Sequence, residues 1–80
     1  MKVYKDKLED SFPVFIFVFK KVTKTYYDIL RIKSGPLSKW RFGGVTADAI
    51  RENYKEYKGD FPPEVKKEAI EGIFERSSWN

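Results

Sequence analysis

Cysteine, histidine and glutamine are absent from this 80-residue chain, and there are only one methionine and two asparagines. Without cysteine there is no disulfide framework, no thiolate nucleophile and no thiolate metal site. Without histidine the commonest general base and the commonest zinc ligand are missing as well. Most hydrolytic and metal-hydrolase chemistries lose their usual residues, and no nucleophile–base pair can be assembled from what remains. The chain is therefore expected not to be an enzyme, and to need neither metal nor cofactor. The scarcity of thermolabile residues beside abundant Lys and Glu is the composition expected of a thermophilic source.

A long apolar run is also lacking. Residues 14–19 are all apolar, but six residues fall far short of the roughly 20 that a spanning helix needs. The run follows Asp6, Glu9 and Asp10, which is unlike a secretory leader. These features predict a cytoplasmic protein with no membrane partner.

What the chain does have suits one small domain over residues 1–80. Seven Phe, five Tyr and two Trp in a chain that is 41% hydrophobic give enough apolar surface to fold, so the 35% of charged residues reads as surface and not as disorder. Residues 2–8 alternate weakly, as a short first strand would. Residues 13–22 and 25–33 are β-branched and aromatic and form the two arms of a hairpin. "SGPLS" (34–38) is a turn and "KWRF" (39–42) a further strand. Thr46 can cap a helix carrying Ala47, Ile50, Tyr54 and Tyr57 at helical spacing, with Gly59 ending it. Pro63 can open a second helix whose apolar face is Val65, Ala69, Ile70, Ile73 and Phe74. Strands first and helices after predict an α+β domain: an antiparallel meander of three to four strands, with both helices on one face.

The hairpin register decides where the phenylalanines point. A two-residue loop at Thr23-Lys24, or a four-residue loop at 22–25, places Phe15 opposite Ile32 and Phe17 opposite Leu30. Cross-strand partners share a face, so these four form a core face that Trp40 and Phe42 can join. Phe19 falls beside Asp28, which Lys21 or Lys24 can neutralise. The opposite face then carries Val14, Ile16 and Val18, left uncovered, together with Lys20, Tyr27, Ile29, Arg31, Lys33, Lys39 and Arg41.

Charge is uneven along the chain. Residues 1–45 hold ten Lys/Arg against four Asp/Glu, and residues 46–80 hold six against eight. A basic sheet face with an interleaved tyrosine is the footprint of a phosphate-backbone binder. Lys20, Arg31, Lys33, Lys39 and Arg41 would contact nucleic acid, and Tyr27 would stack on a base. No base-reading motif accompanies them: "FPVFIFVF" lacks the glycine and leading cation of an RNP1 segment. The plainer reading of the same cations is a solvated face that discourages edge aggregation.

The uncovered Val14, Ile16 and Val18 suggest the other class of function, a homodimer or protein-partner patch. "RFGGVT" (41–46) could hold a phosphate near a helix N-terminus, but reads more simply as a strand-to-helix turn. Glu64, Glu68, Glu71 and Glu75 stripe the second helix as a solvated face.

Overall fold

The computed structural model describes residues 1–8 and 11–78; Glu9 and Asp10 lie outside the described residues. The strands are β1 (Lys2–Asp6), β2 (Val14–Thr23), β3 (Tyr26–Lys33), β4 (Trp40–Thr46) and β5 (Tyr54–Glu56), and the helices α1 (Ala47–Asn53) and α2 (Pro63–Ser77). All strand pairings are antiparallel in a five-stranded sheet of order β4-β3-β2-β1-β5. The architecture is thus α+β, with one more strand than the sequence suggests.

The long hairpin β2–β3 has the expected central register, with Phe15 opposite Ile32 and Phe17 opposite Leu30. It reaches that register by a different route. The turn is Lys24-Thr25, one residue on from Thr23-Lys24, and the register slips by one residue at Phe19 and again at Val22. No described non-glycine residue has a positive φ, which excludes the primed turns that match strand twist in two-residue hairpins. Bulges in β2 take up the mismatch and bend the strand. Two slips restore the original face assignment beyond Val22, because side-chain direction has period two. Between the slips the assignment is inverted. Lys20 lies opposite Asp28 and Lys21 opposite Tyr27, so Lys20 leaves the proposed basic face and Lys21 takes its place.

Both sheet faces are covered. On the first, Phe15, Phe17, Leu30 and Ile32 pack with Val65 and Ala69 of α2. Phe61 and Tyr57 close this layer, with Phe61 5.4 Å from the rings of both Phe15 and Phe17. On the second face Ile16, Ile29 and Val45 pack with Ile50 of α1. Placing both helices on one face is therefore corrected: α2 covers one side and α1 the other.

The physical reason lies in α1's connections. It leaves edge strand β4 and enters the opposite edge strand β5. A flat five-stranded sheet spans about 19 Å between outer strands, and seven helical residues rise only about 10 Å. The sheet therefore coils, with its second face concave around α1. This also buries Ile16, which is 0% exposed, and half-buries Val14 and Val18, so the aliphatic patch on the second face is not open.

Local chemistry sets the helix limits. Thr46 caps α1 as the sequence suggests, its Oγ1 accepting from the Ala49 N–H at 3.1 Å. Helix α1 then stops at Asn53, well short of Tyr57, because the following residues supply β1 with a second strand partner. The Lys7 N–H donates to the Asn53 carbonyl and the Tyr57 N–H to the Val3 carbonyl. Tyr54 joins the second cluster and Tyr57 the first. Residues three apart point to opposite faces in a strand, whereas in a helix they share one. Pro63 opens α2 as expected.

Two carboxylates of the glutamate stripe are structural, not merely solvated. Glu64 accepts from the Gly35 N–H at 3.0 Å, and Glu68 from the Trp40 N–H at 2.9 Å. They tie the β3–β4 turn and the start of edge strand β4 to α2. Gly35 sits at φ +111°, a conformation that disfavours side chains, and an added Cβ would press on the Phe12 ring.

Asp28 meets Arg76 of α2, not Lys21 or Lys24. The pair is about three-quarters buried, with side chains 21% and 23% exposed, and the guanidinium also lies 5.3 Å from the Phe19 ring centroid. Arg76→Ala strands a largely desolvated carboxylate, so a loss of roughly 1–3 kcal/mol is expected. A double-mutant cycle with Asp28→Ala in chemical denaturation measures the coupling, and strictly additive losses would remove the pair from the account of stability.

Candidate nucleic-acid interface

The register brings four cations toward the concave face or its rim. Arg31 of β3 lies directly opposite Arg41 of edge strand β4, and both are exposed. Lys33 follows Arg31 on the same face, opposite Val14, and Lys39 immediately precedes β4. Like charges directly opposite on adjacent strands destabilise a sheet. Among the described residues the ion pairs are Arg51–Asp48 and Arg76–Asp28, so no carboxylate offsets the two arginines. Beside them Gly43 opens onto free space, and a hollow of about 130 Å³ is lined by Ile29, Arg31, Arg41 and Gly43 among others. A flat or anionic group can therefore approach the backbone here.

Toward the hairpin end of the same face is a larger cleft of about 580 Å³, with α1 as one wall. Tyr4, Tyr27 and Phe19 are its aromatic lining, Val18 and Ile50 are among its apolar residues, and Lys2, Lys21 and Arg51 are its cations. None of the described residues that line it is a carboxylate. Tyr27 is half-buried, and the Lys21 ammonium stands 6.0 Å from its ring centroid. Ile29, buried in the cluster with Ile50, separates this cleft from the arginines.

Of the residues expected at a nucleic-acid site, Tyr27, Arg31, Lys33 and Arg41 share the concave face, and Lys39 flanks it. Lys20 does not belong with them. Lys2, Tyr4, Lys21 and Arg51 were not anticipated. Lys2 and Tyr4 were legible as the alternating positions of β1, which set them opposite Val18 and Ile16. Lys21 depends on a slip that the sequence does not announce.

Gly43 and Gly44 stand within β4, not in a loop before α1, so they form no phosphate cradle. Tyr26 lies across Gly44 and fills the space a side chain would need. Among the described residues no three acidic side chains converge as a metal site would require. Among the described residues no helix is long and apolar enough to cross a membrane. No family model, curated protein or solved structure matches this chain.

Proposed function

We propose that this protein is a non-enzymatic nucleic-acid-binding module of low sequence specificity, using the cationic concave face of its sheet. The observation that carries the reading is the uncompensated Arg31–Arg41 pair, held side by side by the ladder of β3 and β4. Two guanidinium groups at neighbouring positions suit successive phosphates, whose binding would relieve their mutual repulsion. Lys33 and Lys39 extend the same charge. The acidic stripe of Glu64, Glu68, Glu71 and Glu75 lies on α2, across the sheet, which gives the molecule one face suited to a polyanion.

Replacing Arg31 and Arg41 together by Ala should weaken oligonucleotide binding at least about tenfold at low salt. It should also reduce the slope of log affinity against log salt by roughly two. Fluorescence anisotropy over a salt series reads both quantities. Undetectable binding of the unmodified protein at low salt would sink the proposal.

A protein-contact reading keeps one specific support. Ile70 and Phe74, one turn apart on α2, are 63% and 76% exposed. A second copy packed antiparallel on this helix would cover them. Light scattering at high concentration distinguishes a monomer from this dimer.

A further inference from the structure

We infer that the cleft between α1 and the hairpin end of the sheet receives a single unstacked nucleobase, which makes single-stranded nucleic acid the preferred ligand. The inference rests on the nucleic-acid reading above and specifies its substrate class. Three observations lead to it. The cleft, about 580 Å³ and open on one side, lies in the size range of small-molecule clefts, about 300–1,000 Å³. Its described lining combines three aromatic rings, four aliphatic side chains counting Met1, and three cations, of which Arg51 is paired with Asp48. That is the composition of a stacking platform beside a phosphate path. Finally, Tyr4 and Tyr27 pack against the second cluster, and rings supported by packing lose less freedom on binding than free ones.

A duplex cannot use these features. Its bases are paired and stacked, so it offers phosphates and base edges but no free ring face. Arg31 and Arg41 can serve either form of nucleic acid, whereas the tyrosine cleft can serve only a strand with a base turned out. Lys21 is exposed, and its ammonium above Tyr27 can turn to meet the phosphate of the nucleotide that enters. Lys2 stands at the cleft for a flanking phosphate, whereas Arg51 is already held in an ion pair with Asp48.

The test compares a fluorescein-labelled 12-nucleotide single strand with a 12-base-pair duplex at the same low salt. A second single strand carries 2-aminopurine at its centre. The single strand should bind about tenfold tighter or more, and the 2-aminopurine emission should change on binding as the base leaves its neighbours. Tyr27→Leu should weaken single-strand binding about 5- to 150-fold, the range for loss of one stacked base. Duplex affinity and the salt slope should stay as they were, and Tyr27→Phe should retain binding. Should Tyr27→Leu melt below the assay temperature, the 2-aminopurine signal of the unmodified protein decides alone. Equal affinity for both forms with unchanged 2-aminopurine emission overturns the inference and leaves the broader nucleic-acid reading standing. Failure to bind either form overturns both.

Discussion

Phe17→Ala is expected to cost about 3–5 kcal/mol, the usual penalty for truncating a buried phenylalanine. Phe17 is 4% exposed, stands opposite Leu30, and meets the Phe61 ring at 5.4 Å. Phe61 lies between α1 and α2 in sequence, so its contact with Phe17 also fixes the path of that connection over the sheet. A cavity at Phe17 loosens α2 and the 57–62 segment together. For a domain this small, each kcal/mol shifts the melting temperature by roughly 4–8 °C, so a fall of about 12–40 °C is expected. Arg31→Ala, on the opposite face and exposed, should change stability by less than about 0.5 kcal/mol. Thermal melts of the two variants check the assignment of faces. The assignment fails if Phe17→Ala melts with the unmodified protein while Arg31→Ala unfolds.

That contrast marks what could be read directly from the residues. Phe15, Phe17, Leu30 and Ile32 share a face because cross-strand pairing preserves parity, and any connection that keeps the opposed residues summing to an odd number gives the same answer. The actual turn is displaced by one residue and the two slips in β2 cancel, so the central register survived an incorrect turn. Lys20 and Lys21 fall between the slips, where the parity argument fails. The charged composition of the face was legible, but which lysine it carries was not.

Non-local partnerships were the other source of difference. Tyr54 and Tyr57 sit at helical spacing from Ala47 and Ile50, and nothing local distinguishes a longer helix from a helix followed by a strand. The free edge of β1, distant in sequence, decides in favour of β5 by offering hydrogen bonds. Similarly, Glu64 and Glu68 resemble any solvated helix stripe until the Gly35 and Trp40 amides arrive from another part of the chain. Asp28 likewise finds its partner 48 residues away. Capping by Thr46 and initiation at Pro63 are local events, and both were readable.

Ile16→Ala should be the other severe substitution, although Ile16 first reads as part of an exposed patch. It is 0% exposed in a cluster whose other buried members are Ile29, Val45 and Ile50. Removing its side chain should cost about 2–5 kcal/mol. The mechanism runs through α1. A seven-residue helix is too short to persist on its own, since isolated helices need some 12–15 residues to be even marginal. Ile50 is its buried anchor, and Ile16 is part of the surface that receives it. Ile16→Ala should therefore raise amide exchange selectively in α1, including the Tyr54 N–H that donates to the Ile50 carbonyl. Exchange in α2 should be affected only as far as global stability falls. The same change should weaken single-strand binding, because α1 carries the Ile50 and Arg51 wall of the cleft. Hydrogen exchange followed by mass spectrometry separates the two regions. Wild-type stability with unaltered exchange in α1 would mean that Ile16 lies on an open surface, and that α1 is held to the sheet by something other than this cluster.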